Sequence, residues 1–594
     1  MDRIWQIAPH DGGAVRQLSQ SLRVPALVAQ VLLARGCRTP ADGTLFLGKR
    51  MADLHPAESL PGVPAAADRI VAAIQSQRRI TIYGDYDVDG VTATSLLWHG
   101  LQLAGGKVDY YIPSRLEEGY GLNCEALRQL HSEDPMRLVV SVDCGITSVT
   151  EAALAREIGL ELIITDHHQF TDTLPDAVAL VHPRLPGDYP FGELCGVGVA
   201  FKLACAVCAR LGDGKKSSPR MREFLLSAMG LTAIGTVADV VPFIGENRLL
   251  VHHGLQSLKG RSSAGLKALM QVAGIDPNRE LQSEDIGFAL GPRINAAGRL
   301  GQARLAVELL TTDNVERAVS LAKYLDELNK NRQTVERRIF KQAKELVEEN
   351  PAWQSDAALV LAHPDWHPGV IGIVASRVAE HFHRPAILIA LDDRGGGSSG
   401  SGRSLHGFDL HAALTECRGR LVTCGGHHAA AGLKILPTEV DAFRSEFVEI
   451  VSRTQPMGST SMVQHIDAEV RLADVTRQAV TALEKLGPFG AANKRPVFAV
   501  TGVELAGTPK RMGEGERHLS LMVRQYGASL RGVAFGKGDW ADEMVQAGGS
   551  LSLCLQPVIN RFRGEEKVEF QLLDWKPCTA VPSDASEDVQ HVGV

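Results

Sequence analysis

The chain has 594 residues, 44% of them hydrophobic and 22% charged, with a formal net charge of −7. That length suits roughly three or four domains, and the negative charge argues against a protein that coats nucleic acid by bulk positive potential, though not against a local basic groove. No run approaches the ~20 apolar residues that span a bilayer, and ten scattered cysteines do not make a disulfide scaffold.

The N-terminus, MDRIWQIAPHDGG, lacks the basic start and apolar core of a secretion signal, so a cytoplasmic site of action is expected. Residues 1–60 read as a small helical lead-in ending at a Pro/Gly-rich joint, 60–64. From about 65 to 185, short apolar β runs alternate with amphipathic helices. Strands are expected at 80–82, 108–112, 138–142, 162–164 and 178–181, with helices at 91–103, 125–131 and 148–158. Such alternation predicts an α/β domain with a mainly parallel sheet. Residues 195–275 read as mostly helical, and 305–349 as a long helical region of mixed charge. Cys205 and Cys208 form a CxxC inside the apolar run 199–209, which reads as helix core rather than a zinc or redox site. A second α/β region follows, with strands at 357–361 and 386–391 around a helix at 371–381. Residues 461–575 are β-rich and suggest a small barrel, and the polar tail from 582 reads as disordered.

GDYDVDG (84–90) directly follows a predicted strand. Asp85, Asp87 and Asp89 would repel one another unless a cation sat among them. Alone, the motif fits a calcium loop or an exposed acidic turn as well. The event recurs, however: 138–142 ends in Asp143, and 162–164 leads into Asp166-His167-His168. Parallel strand ends lie side by side, so these groups can converge. Asp239, inside the apolar run 235–241, is a further candidate, since an unpaired acid there is costly. Oxygen ligands with a few imidazoles suit Mn²⁺ or Mg²⁺, with Zn²⁺ as the alternative, and bridging carboxylates suggest two ions.

These motifs resemble the DHH phosphoesterase superfamily, and within it the single-strand-specific 5′→3′ DNA exonucleases. The similarity runs over roughly residues 60–575 through GDYDVDG (84–90), EEGYGL (117–122), VDCGI (142–146), TDHH (165–168), CGVGVAF (195–201), GTVADVVP (235–242), GPRINAAGR (291–299) and GGHHAAAG (425–432). It implies a DHH catalytic domain at 61–304, a connecting helix at 305–350, a DHHA1 substrate-binding domain at 351–455, an OB-fold DNA-binding barrel at 461–577, and a flexible tail at 578–594. It implies Asp87, Asp89, Asp143, His167 and Asp239 as ligands of two divalent ions, with Asp85 as ligand or support. His168 would face the scissile phosphate, with Asp143 and Asp166 beside it in the catalytic set. Tyr83 stands where some members carry a histidine, which leaves open how the ligands divide between the ions.

On the substrate side, Gly425, Gly426, His427 and His428 form a small, flexible run whose amides could approach an anion. Arg293, Arg299, Arg377 and Arg403, the last beside Ser401, are phosphate candidates because guanidinium matches phosphate bidentately. In the barrel, Lys510, Arg511, Arg517, Arg561, Phe562 and Arg563 could track and stack a single strand. The resemblance implies release of nucleoside 5′-monophosphates in DNA repair and recombination, a single-stranded-DNA-binding protein as companion, and a monomeric chain. The rivals are a phosphodiesterase or pyrophosphatase for short oligonucleotides or small phosphates, and a non-catalytic scaffold. Intact acids at every motif disfavour the scaffold, and a small substrate needs no β-rich track.

Overall fold

The structure, a computed structural model, describes residues 3–115, 117–212, 217–392, 397–405, 407–454, 463–562 and 565–578. The chain forms two compact units, one of Leu54–Thr460 and one of Met1–Asp53 with Ser461–Val594.

The larger unit begins with a five-stranded, all-parallel sheet. Its strand order is Lys107–Tyr111, Arg79–Gly84, Leu138–Val142, Glu161–Thr165 and Ala179–Val181. Both faces are covered, as an all-parallel sheet requires. Leu138, Val140 and Val142 point to the side of helices Val63–Gln75, Val88–Leu103 and Gly196–Arg210. Val139, Leu162 and Ile164 point to the side of Cys124–Glu133 and Val149–Ile158. This period-2 division explains why the strands read as continuous apolar runs. Cys205 and Cys208 are free thiols on the Gly196–Arg210 helix, in keeping with the core reading.

The helical region expected at 305–349 is two helices, Ala303–Thr311 and Val315–Glu349. The break has a local cause: Thr312 is extended, and the Asn314 side chain accepts from the Arg317 amide and caps the second helix. At 35 residues that helix runs about 50 Å. Its first half buries Leu321, Leu325 and Leu328 in the core of the parallel-sheet region. Its second half buries Ile339, Ala343 and Val347 against a second sheet. That sheet has the order Leu421–Gly426, Ala430–Ile435, Ser398–Arg403, Ala386–Ala390, Leu359–His363, with only the last pair parallel. No helix among the described residues is long and apolar enough to cross a membrane.

In the smaller unit five strands close a ring. Phe498–Leu505 pairs with Leu551–Phe562, then Glu565–Pro577, Ala528–Ala534 and His518–Gln525 follow, and the last returns to Phe498–Leu505. Closure removes the sheet edges. The lead-in is part of this unit: Leu27, Val28, Val31 and Leu32 share a core with Val500, Leu553 and Phe570, and Ile4–Ile7 adds a strand parallel to Val463–Ile466. The tail expected to be disordered falls outside the described residues from 579 onward.

Candidate metal centre and phosphate site

Two neighbouring strand ends and one helix end deliver the acids. Asp85 leaves Arg79–Gly84, and Asp87 caps the next helix, its Oδ1 accepting from the amides of Asp89 (2.8 Å) and Gly90 (3.1 Å). A Cβ at Gly90 would lie 2.5 Å from the Asp85 carbonyl oxygen, so this turn admits only glycine. The Asp89 carboxylate accepts from the amides of Gly196 (2.6 Å) and Val197 (2.8 Å), the first of the Gly196–Arg210 helix, where the helix dipole favours an anion. Asp143 follows Leu138–Val142 in a left-handed conformation, φ 63°. Asp239 ends the helix Pro219–Ala238.

His167 Nε2 is the common point. It lies 3.1 Å from Asp143 Oδ1, 3.7 Å from Asp239 Oδ2 and 3.8 Å from Asp89 Oδ2. Three sets of donor atoms each gather within 4.8 Å: Asp143, His167 and His168; Asp89, His167 and Asp239; Asp85, Asp87 and Asp143. Asp85 Oδ1, Asp143 Oδ1 and His167 Nε2 are buried without any hydrogen-bond partner. Such orphans are rare and costly. Divalent cations among these oxygens and this nitrogen would satisfy all of them, and the donor set suits Mn²⁺ or Mg²⁺.

The electrostatics agree. Burial, then the neighbouring Asp87 charge, pushes Asp85 well up and Asp89 up to about 7. Burial and the surrounding carboxylates hold Asp143 well above its usual range and Asp239 at about 9. Burial lowers His167 to about 3, so its imidazole is neutral at neutral pH, the form that can ligate a cation. Asp166 is different: its Oδ1 accepts from the His167 and His168 amides and from His168 Nδ1 (2.7 Å), and its Oδ2 from the Ile146 amide. Burial would raise it, yet these bonds hold it at about 2, and burial of His168 is outweighed by that carboxylate, which raises the imidazole to about 9. Asp166 therefore fixes the orientation and charge of His168 rather than facing the cluster. The Tyr120 hydroxyl donates to the Asp143 carbonyl (3.2 Å) and lies 3.1 Å from His168 Nδ1.

A stability consequence has a definite sign. Asp89, Asp239 and His168 all hold protons more tightly folded than unfolded, so their contribution is lost as pH rises through about 7 to about 9. Without metal, Tm should fall between pH 6.5 and 9, and saturating Mn²⁺ should remove the fall. A flat profile in chelator, read by calorimetry, would contradict the cluster as described.

Beside the acids lies a group of half-buried arginines. Burial, and then Arg115, Arg332 and Arg403, depress Arg299 to about 10, while Asp87 opposes this. Arg403 is likewise lowered by burial and Arg115. Its Nη1 donates to Ser401 Oγ (3.1 Å), and Arg115 lies over the Tyr86 ring (5.0 Å). Arg332 is itself paired with Glu336 (2.6 Å), whereas Arg299 and Arg403 have no carboxylate partner among the described contacts, an arrangement suited to an anion. Arg293 and Arg377 are engaged elsewhere: Arg293 pairs with Asp326 (2.9 Å) and donates to the Ala289 carbonyl, and Arg377 pairs with Glu336 (2.9 Å). Sequence reasoning missed Arg115, which stands just before EEGYGL, and Arg332, which sits in a helix of mixed charge where no local signal marks it.

The parts match known families in chain order. Residues 79–234 match the DHH family N-terminal domain, 355–453 the DHHA1 domain and 466–574 the RecJ OB domain. The single-stranded-DNA-specific exonuclease RecJ of Bacillus subtilis (strain 168) is 39% identical over 571 residues, 96% of this chain and 70% of that protein. The chain belongs to the RecJ family. RecJ of Thermus thermophilus, solved in complex with Mn²⁺, superposes with a TM-score of 0.81 at 31% identity, covering 97% of this chain and 80% of that one. The same protein with Mg²⁺ gives 0.75 at 30% identity, covering 97% and 79%. Those two structures hold Mn²⁺ and Mg²⁺, the ions that the donor set gathered here also suits.

In the region matching DHHA1, Gly425 and Gly426 end one strand, and His427 and His428 form an exposed turn into the next. The His428 carbonyl accepts from Ser404 Oγ (2.9 Å) and the Leu410 amide (2.9 Å), which holds the turn while leaving both imidazoles in solvent. In the region matching the RecJ OB domain, Arg511 pairs with Asp542, Arg561 with Glu484 and Glu566, and Arg517 donates to the Glu514 carbonyl. Lys510 is exposed on the strand Lys510–Met512. Of Phe562 only the backbone is described, and Arg563 lies outside the described residues.

Proposed function

We infer that this chain degrades single-stranded DNA from its 5′ end to nucleoside 5′-monophosphates, in DNA repair and recombination. The observation that carries the reading is a set of orphaned buried oxygen and nitrogen donors beside two arginines, Arg299 and Arg403, that have no carboxylate partner among the described contacts. Asp85, Asp87, Asp89, Asp143, Asp239 and His167 would hold the ions. When bound, these supply Lewis-acid polarisation of the phosphate and a more acidic water. Arg299 and Arg403, with Arg115 beside them, would hold a terminal phosphate and set the register of the strand. His168, kept protonated by Asp166, donates its remaining N–H to charge that grows on the scissile phosphate. The six segments read from the sequence are proposed to act as catalytic, connecting, substrate-binding and DNA-binding parts. A cytoplasmic site of action, a monomeric chain and a single-stranded-DNA-binding protein on the same substrate belong to this reading.

The test uses a 5′-phosphorylated strand labelled at either end, with Mn²⁺ and a duplex control. Mononucleotides released only from the 5′ end of the single strand are expected. No cleavage by folded, metal-loaded protein would overturn the reading. In the same assay Arg299→Ala and Arg403→Ala should each lower kcat/KM on the 5′-phosphorylated strand by about 10–100-fold, since a hydrogen bond to a charged group contributes ~1.5–3 kcal/mol. A 5′-hydroxyl strand should be affected much less. Equal losses on both ends would mean that these arginines do not read the terminal phosphate.

A further inference from the structure

His182 lies outside the set of acids and histidines above, yet the fold brings it to the back of the Asp166–His168 turn. The parallel register pairs Thr165 with Val181, and the Asp166 amide donates to the Val181 carbonyl (3.0 Å), so the residue after Val181 lies beside the turn. The His182 side chain is fully buried. Its Nδ1 accepts from the Arg184 amide (3.0 Å), which assigns the ring hydrogen to Nε2, and Nε2 donates to the His168 carbonyl (2.8 Å). The Phe170 ring packs edge-on against it at 4.8 Å between centroids.

We propose that His182 is a positioning residue for the exonuclease reaction, holding the His168 backbone so that the His167 and His168 side chains keep their places in the cluster. The turn is then gripped from both sides. Asp166 binds its two amides and the His168 ring in front, and His182 binds its last carbonyl behind. Without the donor the partly buried His168 carbonyl loses its partner, and the turn can shift to find water. Partners of this kind typically change metal affinity or activity by about 10–100-fold. The inference rests on the exonuclease reading.

The test compares His182→Leu, which fills the space without a donor, with His182→Gln, whose amide N–H can reach where Nε2 does. Each is assayed on a 5′-phosphorylated single strand for kcat, KM and the Mn²⁺ concentration giving half activity, with Tm in parallel. The Leu variant should lose about 10–100-fold in kcat or in Mn²⁺ affinity, with KM for DNA within about threefold because the arginine group is untouched. The Gln variant should recover most of the loss. Equal activity of wild type and Leu variant, equal damage in Leu and Gln variants, or a loss that follows only the unfolded fraction would each overturn the proposal. An inactive wild type would instead strike the exonuclease reading itself.

Discussion

Asp143→Asn should abolish exonuclease activity while making the metal-free protein more stable. Asp143 Oδ1 is buried without a hydrogen-bond partner, and the residue belongs to two of the three donor sets. Losing a Lewis acid worth several kcal/mol of transition-state stabilisation corresponds to a fall on the order of 10³-fold in kcat. Asparagine is the right replacement because it tolerates the left-handed backbone at φ 63° and preserves the shape of the side chain. Stability should move the other way. Burial and four neighbouring carboxylates hold Asp143 well above its ordinary range, so a neutral isostere removes a like-charge penalty. Each kcal/mol relieved would raise Tm by about 2–4 °C for a domain of roughly 150–250 residues. Turnover at saturating Mn²⁺ and calorimetry in chelator measure the two effects. A variant within tenfold of wild-type turnover, or one less stable without metal, would contradict the assignment.

Lys202→Met should destabilise the larger unit by about 3–5 kcal/mol, because it strands a buried carboxylate. Lys202 and Glu246 are both nearly inaccessible, and they form an ion pair. The Lys202 ammonium also donates to the His55 carbonyl (2.6 Å), and Glu246 accepts from the His55 amide (2.7 Å) and the Tyr189 hydroxyl. Every polar atom of the pair is thus matched, and removing one partner leaves the other charged and dry. Adding Glu246→Gln should recover a large part of the loss, since its amide oxygen still accepts from the His55 amide and its NH2 donates to the Tyr189 hydroxyl oxygen, without carrying charge. Denaturant unfolding of the single and double variants would show the order. A loss below about 1 kcal/mol for Lys202→Met would mean that water reaches the pair. The position matters because Lys202 lies on the helix whose first amides hold Asp89.

What the amino-acid sequence determined by itself was local. Alternating apolar runs specified the parallel sheet, because strands covered on both faces need apolar residues at every position, and 138–142 reads and folds that way. Acids placed directly after two such runs, and His167 after a third, specified the candidate metal cluster, because neighbouring parallel strands end side by side. Which charges remain free was decided by tertiary structure. Arg293 and Arg299 stand in one short motif with similar surroundings in sequence, yet Asp326 on the long helix neutralises the first and nothing of the kind meets the second among the described contacts. Arg332 and Arg403 come from distant segments to join it. The same holds for the lead-in, whose apolar residues gave no sign that they would fill the core of the C-terminal barrel. The physical reason is one of range. Periodicity, capping and strand-end position follow from near neighbours, whereas a side chain's ion-pair partner and burial depend on residues hundreds of positions away, brought into contact only by folding.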